Sequence, residues 1–174
     1  MAAHLHFALR MYRVTIAIID ATRARLFQFV RTSDPEGVRD QLTEVSDLAD
    51  PARRLRPSEL FSDSGALGRN TGGHGSSFDD HREEHMARLD TDFVRSVAPE
   101  IERLAAGADR LIICASPRML GRLRELMKEL PGLRIDELPR NLVKLTPPQI
   151  RDQLASYELL PPAPPRPTLR EPQP

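Results

Sequence analysis

Residues 69–85 read RNTGGHGSSFDDHREEH and bring together most of the chain's reactive side chains. His81, Glu84 and His85 fit H-x-x-E-H, an inverted zincin pattern. Histidines four apart share one face of a helix and would share one Zn²⁺, with Glu84 as the base that activates water. Such a site needs a third protein ligand, and His74 or Asp80 is the nearest. The competing reading is a solvated helix start, where acidic residues suit the helix dipole. The glycines offer a second chemistry. Five of the nine glycines lie between Gly65 and Gly75. Gly72 and Gly73 let backbone approach a ligand closely and adopt positive φ. With Arg69 and His74 beside them, such a loop would suit a narrow, negatively charged space such as an RNA pocket, because Arg and backbone N–H groups both bind phosphate. A flexible linker would have the same composition.

Other chemistries lack residues. A two-metal nuclease needs converging carboxylates. Asp20 ends a probable strand, but the next parallel strand ends Cys114-Ala115-Ser116 without an acid. No serine stands in an elbow, and Cys114 lies in the apolar run LIICA with no histidine partner. Of the 25 basic residues 23 are Arg, the better fork for phosphate. Genomic base composition produces the same bias. Arg118 falls in the first turn of a predicted helix, where the dipole disfavours a cation. That placement calls for a neighbouring acid or a bound anion.

The elements that must position these residues follow from periodicity. Residues 13–19 (RVTIAII) and 25–31 (RLFQFVR) read as a hairpin of strands, and 41–48 as a weaker third strand. Residues 49–79 form a long loop without periodicity, a length that signals function or disorder. Met86, Leu89, Phe93, Val97, Ile101 and Leu104 recur every three or four positions and predict a helix over about 80–106. Pro99 should kink it or split it in two. Residues 111–115 read as a buried strand. Ser116-Pro117 then opens a second helix, which Pro131-Gly132 stops. Residues 133–138 form a fifth strand, and Thr146 caps a last helix through Tyr157. A meander followed by two right-handed crossovers predicts an α/β fold with a mixed five-stranded sheet in the order 3-2-1-4-5, the ribonuclease H-like arrangement.

Composition sets the outer limits. The chain has 174 residues, 40% hydrophobic and 5% aromatic, so one domain with an aliphatic core is expected. Acidic and basic residues balance at 25 each, which removes any net pull toward nucleic acid or membrane. A single cysteine excludes an internal disulfide. No apolar run reaches membrane-spanning length and no signal peptide is read, so a cytoplasmic location is expected. Residues 1–11 read as a disordered extension, with Met11 an alternative start. Residues 12–157 read as the domain, and 158–174 as a Pro-rich disordered tail.

Four stretches carry a family resemblance: IAIIDATRARLFQF, LADPARRLRPSELFSDSGALGR, DRLIICASPRMLGRLRELM and DELPRNLVKLTPPQIRDQL. Together they resemble the bacterial host attachment protein family over about residues 12–156. That family in turn is similar to the middle domain of archaeal and eukaryotic class I release factors and of Pelota-type rescue factors. There a glycine loop with Gly-Gly-Gln precedes the long helix and enters the peptidyl-transferase centre. Gly72-Gly73-His74 falls at the matching point. Replacement of Gln by His74 points to binding rather than hydrolysis, with His74 the one candidate base. The resemblance implies a cytoplasmic module, without cofactor, that binds the ribosome or tRNA and affects host attachment indirectly. Arg23, Arg25, Arg69, Gly72, Gly73, His74, Arg118 and Arg124 are the expected phosphate contacts. The alternatives are a zinc hydrolase through His81, Glu84 and His85, and an adaptor acting through PxxP-like segments of the tail.

Overall fold

The computed structural model describes residues 10–50, 52, 76–127 and 132–164, without the side chains of 10, 76–80 and 82. Five strands run β1 (Arg10–Ile19), β2 (Arg23–Asp34), β3 (Gly37–Ala49), β4 (Arg110–Ala115) and β5 (Arg134–Leu138). The helices are α1 (Ser76–Ala105), α2 (Pro117–Leu126) and α3 (Pro147–Ser156). The sheet order is β3-β2-β1-β4-β5, as the element pattern predicts. β1, β2 and β3 pair antiparallel, while β1, β4 and β5 pair parallel.

Alternation along the strands builds a core on each face. Ala17, Ile19, Leu26, Leu111 and Ile113 pack under α1 and α2 with Val97, Ile101 and Leu123. Ile16, Ile18, Phe27, Phe29 and Ile112 pack on the other face with Ile150 and Leu154 of α3. β4 is buried along its whole length, which accounts for the apolar run from Leu111 to Ala115. Cys114 is fully buried in the α3-side core, and burial pushes its thiol up to about 12. A thiol reagent at pH 8 is therefore expected to react with the native chain at least about a hundredfold more slowly than with the urea-unfolded chain. Comparable rates would remove the thiol from the core.

Turns use their own side chains. The Asp20 Oδ1 accepts from the Thr22 and Arg23 N–H groups at 2.8 and 2.9 Å, closing the β1–β2 hairpin. The Asp34 Oδ1 does the same for Glu36 and Gly37, with Gly37 at φ 140°. The Ser116 Oγ accepts from the Met119 N–H at the start of α2. Gln149 reaches back to the Thr146 N–H at 2.9 Å at the start of α3.

Several expectations need correction. β1 begins at Arg10, inside the extension expected to be disordered at 1–11. Of the kink or split expected at Pro99, the split does not occur, and α1 runs unbroken through it. Pro99 and Arg95, whose carbonyl loses its usual helical partner, are both exposed, so solvent can satisfy that oxygen. α2 ends at Leu126, before the Pro131-Gly132 signal, because Met127 turns to extended backbone and packs on the core. The segment after α3 stays on the domain beyond residue 158. Glu158 takes a left-handed φ of 56°, and Leu160 is then buried against the α3-side core. Arginines hold the backbone that follows. Arg110 donates to the Leu159 carbonyl at 2.6 Å, Arg31 to Pro162 at 2.6 Å and Arg151 to Pro161 at 3.3 Å. The expected disorder of residues 1–9 and 165–174 falls outside the described residues.

β3 is longer than its sequence suggests and contains a bulge. Leu26 pairs with Ser46 and Phe27 with Glu44, so Val45 is left over between them and is 41% exposed. The extra residue changes which face the even-numbered side chains meet. Leu48 packs on the α1-side core, whereas Leu42 packs on the α3-side core.

Candidate functional site

β1 and β4 are adjacent parallel strands whose connections leave in opposite directions, β1 to the hairpin and β4 to the α2 crossover. In open α/β sheets the crevice beyond the carboxyl ends of such a pair is where ligands bind. Here that crevice is a cavity of about 460 Å³. Asp20, Ala21 and Thr22 of the hairpin form one wall. Ser116, Arg118 and Met119 at the start of α2 form another. Met86 and Asp90 of α1 and Asn141 of the loop after β5 complete it.

α1 is anchored below the crevice and extends past it. The Thr15 hydroxyl donates to the Leu104 carbonyl at 2.9 Å near the C-terminal end of the helix. Going toward the N-terminus, Asp90 is the last fully buried side chain. Described side chains from 81 to 89 are exposed or half-buried. The first ten residues, 76–85, span about 15 Å on the N-terminal side of the crevice residue Met86, at 1.5 Å per residue. Gly75 immediately precedes that end.

The expected phosphate contacts separate by what their guanidinium groups already hold. Arg23 forms a two-bond fork on Asp47, at 2.7 and 2.5 Å. Arg124 forms the same fork on Glu137. Arg25 is buried. It donates twice to Glu44 at 2.7 Å and to the Val143 and Leu145 carbonyls at 2.9 and 2.7 Å, with Phe27 beneath it. Its donors tie the loop before α3 to the sheet, so Arg25 is an internal clamp and not an exposed contact. Arg118 differs. Its side chain is 56% exposed, and its one ion pair among the described residues is a loose one, Nε to the Asp90 Oδ2 at 3.5 Å. The acid expected beside Arg118 is thus Asp90. Arg69, Gly72, Gly73 and His74 lie outside the described residues.

Arg122 stands behind the same carboxylate, with Nε 3.8 Å from the Asp90 Oδ2 and Nη1 donating to the Thr91 hydroxyl. Its Nε–H is buried without a hydrogen-bond partner. Sequence reasoning missed Asp90, Arg122 and Asn141. A signal for Asp90 was present: it stands four residues after Met86 and three before Phe93, an acid on the apolar stripe. On the same helix His81 and Glu84 are exposed and His85 is half-buried. Among the described residues no group of three His, Cys, Asp or Glu side chains is placed to hold a metal ion.

A family model described as "Protein required for attachment to host cells" matches residues 15–154. The chain belongs to this host attachment family. The matched span runs from Thr15 in β1 to Leu154 in α3 and takes in all of the described crevice residues. The clamped segment Leu159–Pro162 lies beyond it. A comparison with curated proteins gave no match. Among the described residues no helix of this host attachment family member is long and apolar enough to cross a membrane.

Proposed function

We propose that this host attachment family protein is a non-catalytic, cytoplasmic module that binds the ribosome or tRNA, and that any effect on attachment is indirect. The observation that supports the reading is the long helix α1, which begins at Ser76 with Gly72-Gly73-His74-Gly75 immediately before it in the sequence. A glycine-rich stretch carries backbone donors with few side chains to obstruct close approach, and it leads directly into the start of a long helix. Arg118 of α2, beside Asp90 of α1, adds a cation with donors to spare. The likeness in element order to release-factor middle domains supports the same reading.

Co-sedimentation with ribosomes at low and high salt tests it. Wild-type protein is expected to pellet at low salt. About three phosphate contacts would weaken binding at least tenfold between roughly 50 and 200 mM salt. A Gly72→Ala, Gly73→Ala double variant is expected to lose most of the low-salt binding. Wild-type protein that stays in the supernatant at every salt concentration, with free tRNA also unbound, overturns the reading.

A further inference from the structure

We infer that the crevice between β1, β4 and α2 is a binding site for one ribonucleotide unit, with its phosphate on Arg118 and its ribose hydroxyls on Asp20. The inference draws on the RNA-facing reading only for one source of the ligand, an RNA chain; free mononucleotide is the other. The cavity of about 460 Å³ lies within the range of small-molecule sites, roughly 300–1,000 Å³.

The chemistry is divided across the crevice. Arg118 supplies a planar fork suited to phosphate oxygens. Among the described residues its only carboxylate contact is at 3.5 Å, beyond hydrogen-bond length, so its donors remain available. It also sits in the first turn of α2, where the helix dipole favours an anion; Pro117 has no N–H and the Met119 N–H is taken by the Ser116 Oγ, which leaves the Arg118 N–H. Asp20 faces it from the hairpin. The Asp20 Oδ1 is committed to three local donors, the Thr22 N–H, Thr22 Oγ1 and Arg23 N–H. Its Oδ2 has no hydrogen-bond partner among the described residues and is a pure acceptor, the group that a pair of ribose hydroxyls requires. Asn141 uses its Oδ1 on the Val143 N–H and keeps its amide donors for a base edge or hydroxyl. Met86, Met119 and Ala21 supply the apolar surface on which a base can lie.

Asp90 is the obvious competitor for Arg118, and its surroundings provide the answer. Arg122 lies 3.8 Å from the same Oδ2 with its Nε–H unused. A shift of roughly 0.6–0.9 Å brings that pair to hydrogen-bond length. Asp90 then keeps a cationic partner while Arg118 turns to the incoming phosphate. The ligand exchanges one ion pair for another and leaves no buried carboxylate uncompensated.

The test uses the full chain and isothermal titration with defined probes. These are the four ribonucleoside monophosphates, their 2′-deoxy counterparts, inorganic phosphate and a short single-stranded RNA. At least one ribonucleotide probe, free or within the RNA, is expected to bind more tightly than its deoxy counterpart and than phosphate. Arg118→Ala is expected to weaken it about tenfold, the loss of one charge-assisted contact. Asp20→Asn retains an acceptor for the hairpin and is expected to remove the preference for ribose over deoxyribose. Thermal melts of both variants separate lost binding from lost folding. Binding of free mononucleotide by protein that ignores ribosomes and tRNA would retain the crevice and remove the ribosome reading. Ribosome binding unaffected by Arg118→Ala, with no mononucleotide or RNA bound in the titration, overturns the crevice alone. Equal affinity for ribose and deoxyribose probes, or for inorganic phosphate, also overturns it.

Discussion

Replacing Arg25 with alanine is expected to destabilise the domain by about 3 kcal/mol, enough to put much of a marginally stable fold at risk. The guanidinium is buried, and four of its N–H···O contacts end on protein oxygens. Two of them reach across the sheet to the carbonyls of Val143 and Leu145, which introduce α3. Truncation leaves Glu44 without its partner and strands the Val143 oxygen in the α3-side core, where Val143 is 4% exposed. Glu44 retains partial solvent access, 28% of its side chain, which holds the cost near the lower end for a broken buried pair. Urea unfolding monitored by circular dichroism measures this directly. Arg25→Lys is expected to recover only part of the loss, because an ammonium cannot reproduce the two-bond fork on Glu44. A loss below about 1 kcal/mol for Arg25→Ala would return Arg25 to the class of surface arginines.

The second large effect is expected at Asp40. Its side chain is 8% exposed and lies between two arginines, Arg31 at 2.6 Å and Arg151 at 2.6 Å. Burial alone would raise its pKa, but the hydrogen bonds from Arg31 and Arg151 outweigh burial and the net shift is downward. Asp136 is depressed by its hydrogen bond from Arg110, against a smaller opposing effect of burial and with help from Arg134. For a carboxylate depressed in the folded state, stability is fully present above the unfolded value, about 3.9. It is lost as pH falls through the folded value. The domain should therefore hold its stability down to about pH 4 and lose it below. Asp40→Ala is expected to cost about 3 kcal/mol or more at neutral pH, because two largely buried guanidinium groups lose their shared carboxylate. Asp40→Asn removes the titrating group and should flatten the acid limb of the stability profile. An unchanged acid limb in Asp40→Asn, measured by urea unfolding between pH 2.5 and pH 7 in steps of about half a unit, would sink the assignment.

These arginine clamps change how the composition is understood. An Arg-rich chain with no net charge invites a phosphate-binding reading at every guanidinium. Folding assigns Arg25, Arg31, Arg110 and Arg151 to carboxylates and to carbonyls of the loop before α3 or of the segment after it. Arg118 alone among the four described candidates avoids that fate. What separates it is position: its nearest acid lies on a different helix, too far away to form a fork.

The strand order was legible in the sequence because each element carried a local signal. β-branched runs, Asx turns at Asp20 and Asp34, the Ser116-Pro117 and Thr146-Pro147 starts, and the three-four stripe of α1 are all set by residues near one another in the chain. Right-handed crossover then left one arrangement for a meander followed by two βα units. Family membership was legible for a similar reason, since the ordered set of short stretches survives without any knowledge of contacts. Where the signal was non-local, sequence reasoning stopped short. The bulge at Val45 depends on which β2 residue each β3 residue meets, and two successive faces of alternation look like one weak strand when read in isolation. The place of Leu160 in the core, and the clamps on Leu159 to Pro162, depend on arginines from β2, β4 and α3 that converge only after folding. The crevice itself unites residues from positions 20 to 141. Asp90, Arg122 and Asn141 belong to it because the tertiary structure sets the start of α2 against α1 at the carboxyl edge of β1 and β4, and no periodicity along the chain encodes that distance.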